Sequence, residues 1–102
     1  MPPNSYIKKS DKEQVLLIKN CAYCGSEKDL VIEHIHPPSR GGSSELSNLT
    51  RGCVSCNSRK NTMLIPEFEE NLLVKLKELQ DKVEHYKKII SSIQSQSYKI
   101  FN

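Results

Sequence analysis

The 102-residue chain has no tryptophan and only two phenylalanines, and apolar residues make up 36% of it. Large aromatic side chains contribute much of the buried area in protein cores, so this composition excludes a large core. The length is also well below that of most two-domain proteins. We therefore expect one small domain that depends on a metal ion or a partner for its stability.

Long hydrophobic segments are also absent. No apolar run approaches the roughly 20 residues of a transmembrane helix. The N-terminal stretch MPPNS lacks the apolar core of a secretion signal. The sequence therefore predicts a cytoplasmic protein with no membrane partner. Thiols stay reduced in that compartment, so paired cysteines there favour zinc binding over disulfides.

The chain has little excess of charge of either sign, since its net charge is only +3. Charge alone therefore does not indicate a nucleic-acid partner. The local excess of lysine lies in residues 1–20, which hold four lysines and two acidic residues, whereas residues 63–102 hold six of each. This distribution predicts a basic N-terminal arm.

The four cysteines fall into two pairs, Cys21-x-x-Cys24 and Cys53-x-x-Cys56. This spacing allows four thiolates to surround one zinc ion tetrahedrally and to fill every coordination position. We therefore expect a structural Zn²⁺ site. The 28 residues between the pairs, residues 25–52, exceed the roughly 15–20 of a plain zinc ribbon and leave space for further structure.

The segment between and after the pairs predicts a hairpin followed by a helix. Residues 30–35 (LVIEHI) are rich in β-branched side chains and are followed by two prolines, which favours a strand that ends there. Residues 49–52 are expected to return as the second strand. A short helix over residues 53–63 follows in this prediction.

Both flanking segments are predicted to be helical. Ser10 and Glu13 have the spacing of a capping box, which places a helix from about residue 10 to residue 19. Downstream, Pro66 suits the first turn of a long helix. Apolar residues then recur in steps of four and three, forming a heptad seam of Leu72, Leu76, Leu79, Val83, Tyr86, Ile90 and Ile93.

Lysines flank this seam and argue against a simple self-paired zipper, because like charges would face one another across it. Two alternatives stay open from the sequence. The seam packs within the chain, on the N-terminal helix or on the cysteine-bearing motif, or it forms a homodimer in another geometry.

The residues around the cysteines resemble those of the HNH endonuclease family, in the zinc-stapled form of its ββα-metal (His-Me finger) motif. The matching residues are Glu33-His34, Gly41-Gly42, Asn48-Leu49, Asn57 and Lys60. The resemblance implies a small α+β fold. In that fold residues 21–63 form the nuclease motif, residues 1–20 form a basic arm and helix, and residues 64–102 form a long helix and tail.

The resemblance also implies a role for each matching residue. His34 would be the general base in the hydrolysis of DNA. Glu33 and Asn57 would bind a catalytic Mg²⁺ or Mn²⁺ ion, and Asn48 would hold the loop by hydrogen bonds and orient the base. The candidate phosphate contacts are Lys60, Arg59, Arg51 and Arg40.

Two positions depart from the usual family pattern. Glu33 stands where aspartate is commoner, and Asn57 replaces the final histidine of the family name. The asparagine variant is found among zinc-stapled members, including phage enzymes that resolve branched DNA. His36 leaves two interpretations open: a contact to phosphate or metal, or a histidine held by hydrogen bonds within the hairpin.

Three functions are compatible with paired cysteines, and they use different residues. A non-catalytic nucleic-acid-binding module or accessory subunit needs the cysteines and basic residues, but it has no use for Glu33-His34, Asn48 and Asn57 together. A redox protein is disfavoured because no βαβ pattern surrounds the CxxC pairs. The sequence therefore predicts a metal-dependent DNA endonuclease, acting alone, as a dimer or within a larger nuclease assembly.

Overall fold

The computed structural model describes residues 6–101, and for residues 97–101 it describes the backbone alone. Its elements are α1 (Lys9–Val15), β1 (Leu30–His34), β2 (Leu49–Cys53), α2 (Val54–Lys60) and α3 (Ile65–Phe101). Single turns of 3₁₀-helix at Pro38–Arg40 and Leu46–Asn48 lie in the loop between the strands. This order confirms the predicted small α+β fold. Residues 1–5 of the expected basic arm lie outside the described residues.

The two strands pair antiparallel along their whole length, from Leu30 opposite Cys53 to His34 opposite Leu49. β2 leads directly into α2, so the hairpin and the helix form one continuous ββα unit. Cys53 is the N-cap of α2, and its sulfur accepts a hydrogen bond from the amide of Cys56 at 3.3 Å. A predicted metal ligand therefore also serves as a helix cap.

The loop that joins the strands is fixed by its own backbone and by Asn48. A Cβ atom on Gly42 would lie 1.8 Å from the carbonyl oxygen of His36, so only glycine fits there. The Asn48 amide accepts a hydrogen bond from the backbone N–H of His36 at 2.9 Å. The same amide donates to the carbonyl oxygens of His36 and Ser43, at 2.9 and 2.7 Å. Asn48 therefore fastens both sides of the loop that follows β1.

The N-terminal helix differs from its prediction. Lys8 is the last residue with extended dihedral angles, so the helix begins at Lys9 and no side chain caps it. Ser10 therefore lies inside the first turn, and the predicted Ser10–Glu13 capping box is wrong. The helix also ends at Val15, four residues before the predicted end, because the amides of residues 17 and 18 bond to carbonyls three residues earlier.

The short helix α2 ends three residues earlier than predicted. Asn61 follows it with a φ of 50° and a ψ of −121°, which no helical residue adopts. The chain turns there and begins α3 at Ile65. Glu67 accepts a hydrogen bond from the backbone N–H of Leu64 at 2.8 Å, which satisfies one of the free amides at the start of that helix.

The chain forms two compact units that divide after Phe68. The first has a small core, whose buried apolar residues are Val15, Cys21, Leu49, Cys53 and Phe68. In the second, the seven residues of the predicted heptad seam are each between 40% and 59% exposed. Within the described part of the chain, no helix combines the length and apolar content needed to cross a membrane.

Candidate functional site

The four cysteines converge on one point. Their sulfur atoms all lie within 4.8 Å of one another, and the sulfurs of Cys24 and Cys53 are 3.7 Å apart. Tetrahedral zinc with Zn–S bonds of about 2.3 Å places sulfur atoms about 3.8 Å apart. All four cysteines are free of disulfide bonds. The cluster therefore has the composition and the spacing of a structural zinc site.

The environment of the Cys21 sulfur favours a thiolate ligand. The backbone amides of Tyr23 and Cys24 donate to the sulfur of Cys21 at 3.4 and 3.5 Å. Burial alone raises the pKa of Cys21, but hydrogen bonds from the backbone amides of Cys24, Cys53 and Tyr23 and from the Cys24 thiol outweigh it and lower the pKa to about 6. Burial and hydrogen bonds with the other three thiols raise the pKa of Cys56. Four thiolates this close repel one another, and a divalent cation offsets that repulsion.

A cleft of about 430 Å³ lies beside the hairpin. Its walls include Glu33 and His34 from β1, and Asn57 from α2. The predicted base and both predicted cation ligands therefore line one cavity. Pro37 and Pro38 close one side of it, and the Asn61–Thr62 turn closes another.

Glu33 is buried in the wall of this cleft, with only 4% of its surface exposed. Lys60, which is fully buried, donates from Nζ to Glu33 Oε1 at 3.0 Å and to the carbonyl oxygen of His34 at 3.2 Å. The Tyr23 hydroxyl donates to Glu33 Oε2. Burial and this hydrogen bond both raise the pKa of Tyr23, which keeps the hydroxyl protonated. Each carboxylate oxygen of Glu33 is therefore held by a separate donor.

His34 is less buried and makes a different contact. Its Nε2 lies 3.0 Å from Oγ of Ser44, in the loop that Asn48 fastens. Burial is the largest influence on the imidazole and lowers the pKa of His34 below its usual value. Glu33 acts against this shift and Lys60 adds to it. The neutral imidazole is consequently favoured at pH 7.

The two remaining polar candidates have contrasting environments. The Asn57 side chain is partly exposed, and no hydrogen bond to it is seen within the described residues. By contrast, His36 Nε2 lies 2.7 Å from the carbonyl oxygen of Arg40, so this ring has a partner inside the loop. Asn57 thus offers an unengaged amide to the cleft.

Three of the four candidate phosphate contacts are engaged within the protein. Lys60 is fully buried and donates hydrogen bonds to Glu33 and to the carbonyl oxygen of His34. Arg40 bonds to Glu67 at 2.8 Å and to the carbonyl oxygen of Thr62 at 3.3 Å, and its bond to Glu67 lowers the pKa of that carboxyl. Arg51 donates to the carbonyl oxygens of residues 16 and 30. Arg59 is exposed, with no hydrogen bond or ion pair among the described residues.

Sequence analysis missed two residues that contact the predicted catalytic pair. No pattern in the sequence assigned either Tyr23 or Ser44 to the site. Tyr23 is ten residues from Glu33, and Ser44 is ten from His34. Neither pair lies within a single helix or strand, so no sequence periodicity relates its two residues. These side chains come together only when the hairpin and the turn of residues 21–25, here called the knuckle, are folded.

Comparison with known proteins adds one finding. A family model described as HNH endonuclease matches residues 21–73, which is just over half of the chain. The match includes the cysteine cluster, the hairpin, α2 and the start of α3. No curated protein matches the chain.

We expect Cys21→Ser to abolish both zinc binding and the cooperative thermal transition, because the metal supplies much of the folding free energy of such a small unit. Zinc content by mass spectrometry and circular dichroism melting curves measure the two effects. Ala22→Ser, an exposed change in the same knuckle, is the control and should keep both properties. A Cys21→Ser protein that retained zinc and its transition would contradict the zinc assignment.

We expect Lys60→Met to lower the free energy of unfolding by about 3–5 kcal/mol, because it leaves the Glu33 carboxylate buried without its counterion. Urea denaturation measures the change. The double variant Lys60→Met/Glu33→Gln should recover most of the loss. The control is Lys77→Met, which breaks an exposed pair with Asp81 and should have little effect. Equal stability of the two lysine variants would contradict the buried ion pair.

Proposed function

The chain belongs to the HNH endonuclease family, and on this basis we propose that it is a metal-dependent endonuclease that hydrolyses phosphodiester bonds in DNA. The observation that supports this most is the shared cleft of Glu33, His34 and Asn57. A cleavage site needs a base to activate water and a cation to stabilise the leaving oxygen. This cleft offers the His34 imidazole as a base and the side-chain oxygens of Glu33 and Asn57 as cation ligands.

We assign the role of general base to His34. A base must be unprotonated before the reaction, and the lowered pKa of His34 favours that form at neutral pH. When Nε2–H donates to Ser44, the imidazole keeps Nδ1 free to accept a proton from water. Asn48 supports this arrangement indirectly, because it fastens the loop that carries Ser44.

We assign the catalytic cation to Glu33 and Asn57. Mg²⁺ and Mn²⁺ prefer oxygen ligands, and these residues present a carboxylate and an amide to the cleft. Each Glu33 oxygen accepts one hydrogen bond and so keeps one lone pair for a ligand role. When bound, the cation would stabilise negative charge on the leaving oxygen.

The zinc in this proposal is structural, since four cysteines fill every position around it. Cys24 precedes β1 in the chain, and Cys56 directly precedes Asn57. One zinc ion would therefore fix the two chain segments that carry the cation ligands. We propose residues 21–63 as the nuclease motif.

Among the candidate phosphate contacts we favour Arg59, because its side chain is exposed and has no hydrogen-bond or ion-pair partner among the described residues. The flanking segments, residues 1–20 and 64–102, would supply substrate selection and assembly. Their exposed heptad seam suits either a homodimer or a subunit contact in a larger nuclease.

The second candidate function is a zinc-stapled DNA-binding module that does not cleave. The observation that favours it is the buried ion pair between Glu33 and Lys60, since a carboxylate neutralised by a lysine attracts a cation less. Cleavage assays separate the two functions directly.

We expect zinc-loaded protein to nick supercoiled plasmid when Mg²⁺ or Mn²⁺ is added, and His34→Ala to reduce the rate by at least about 100-fold. Gel electrophoresis of the plasmid forms over time measures both rates. His85→Ala, a change of the same kind on α3 and outside the cleft, is the control and should retain activity. Equal cleavage by wild type and His34→Ala would remove His34 from the mechanism. No cleavage of plasmid, branched or single-stranded DNA would favour the binding module.

We also expect the cleavage rate to rise with pH through an apparent pKa lower than the usual histidine value, and then to level off at neutral pH. The sign follows from the base role: protonated His34 is inactive, and its lowered pKa delays protonation to more acidic pH. Single-turnover rates at saturating metal between pH 5 and 8 measure the profile. A rate that still increases steeply above pH 7 would contradict this role.

A further inference from the structure

Tyr23 lies between Cys21 and Cys24 in the sequence, and its side chain reaches Glu33, a residue that lines the cleft. Its backbone N–H donates to the sulfur of Cys21 at 3.4 Å, so the cysteine cluster fixes the position of its main chain. The side chain extends from this knuckle to β1, where the hydroxyl donates to Glu33 Oε2. One residue therefore contacts both the structural metal site and a carboxylate of the candidate cation site.

The ring of Tyr23 is held in place by a second aromatic side chain. It packs edge-on against Phe68, with the ring centroids 5.6 Å apart and the planes at 84°. Edge-to-face aromatic pairs are favourable arrangements that restrict the orientation of both rings. The hydroxyl is thus delivered to Glu33 in a defined position.

The carboxylate of Glu33 is held at two points. Lys60 Nζ donates to Oε1, and the Tyr23 hydroxyl donates to Oε2. A single hydrogen bond would allow the carboxylate plane to rotate about its last torsion, whereas two donors on different oxygens fix that plane. The two donors differ in charge. The positive charge of Lys60 neutralises the Glu33 carboxylate and repels a bound cation, whereas the Tyr23 hydroxyl is neutral and orients the carboxylate without repelling a cation.

We propose that Tyr23 is a positioning residue for Glu33, which couples the cysteine cluster to the binding of the catalytic cation. This inference rests on the proposed function, because it assumes that Glu33 ligates the cation. Groups that hydrogen-bond to metal ligands commonly change metal affinity by 10- to 100-fold when they are removed. Tyr23 contributes in this way through Glu33 and does not contact the substrate.

The test is Tyr23→Phe, which removes one oxygen atom and keeps both the ring on Phe68 and the backbone of the knuckle. Titration of the zinc-loaded, full-length protein with Mn²⁺, followed by the electron paramagnetic resonance of free Mn²⁺, measures cation affinity without DNA. We expect Tyr23→Phe to weaken Mn²⁺ binding about 10-fold. Zinc content should stay at one ion per chain, and the thermal transition should stay cooperative. Tyr86→Phe, an exposed tyrosine on α3, is the matched control and should bind Mn²⁺ like wild type.

A second variant shows whether Tyr23 acts through Glu33. Glu33→Ala should itself weaken Mn²⁺ binding, and adding Tyr23→Phe to it should cause no further loss, because the hydroxyl then has no side chain at position 33 to orient. An additive loss in the double variant would overturn the proposal, as would loss of zinc from Tyr23→Phe. Unchanged Mn²⁺ affinity in Tyr23→Phe, with normal binding by wild type, would overturn this inference alone. Wild-type protein that neither binds Mn²⁺ nor cleaves DNA would overturn the proposed function with it.

Discussion

The convergence of four cysteine sulfurs within 4.8 Å is the constraint on which the rest of the first unit depends. The buried apolar core of that unit is small, too small to position a cleft by packing alone. A zinc ion held by these four sulfurs would join the segment before β1 to the β2–α2 junction. Because Asn57 follows Cys56 directly, the amide that faces the cleft is placed by the same site. Folding and the geometry of the cleft therefore have a common origin in the metal cluster.

Three polar side chains, Tyr23, Glu33 and Lys60, connect the cysteine cluster to the cleft. Lys60 is the last residue of α2 and Tyr23 lies in the cysteine knuckle, and the side chains of both donate to Glu33 on β1. Three chain segments thus meet at one carboxylate. Burying a lysine and a glutamate costs solvation free energy, which a close ion pair with additional hydrogen bonds offsets. Lys60 also bonds to the carbonyl oxygen of His34, so the same contacts define the backbone that carries the candidate base. The cleft is consequently formed by rigid elements, and not by the loop alone.

The features that could be predicted from the sequence are those set by local patterns. The β-branched run at residues 30–35 indicated the hairpin and the CxxC spacing indicated the convergence of the four cysteines, and both are confirmed. The capping box at Ser10 was wrong, because a four-residue pattern does not decide where a marginal helix begins. Long-range pairing accounts for the other differences. Lys60 was expected to face phosphate, but the hairpin register brings Glu33 within its reach and buries both. Arg40 likewise bonds to Glu67, a partner 27 residues away that no spacing rule relates to it.

The central claim is that this protein holds two different metal ions, a structural one among the cysteines and a catalytic one in the cleft. Anomalous diffraction from crystals of zinc-loaded protein soaked in Mn²⁺, recorded at the zinc and manganese absorption edges, tests it most directly. We expect a zinc peak among the four sulfurs and a separate manganese peak next to Glu33 and Asn57. Manganese absent from the cleft while zinc occupies the cysteine cluster would contradict the catalytic assignment. A cysteine cluster without zinc would contradict the structural one.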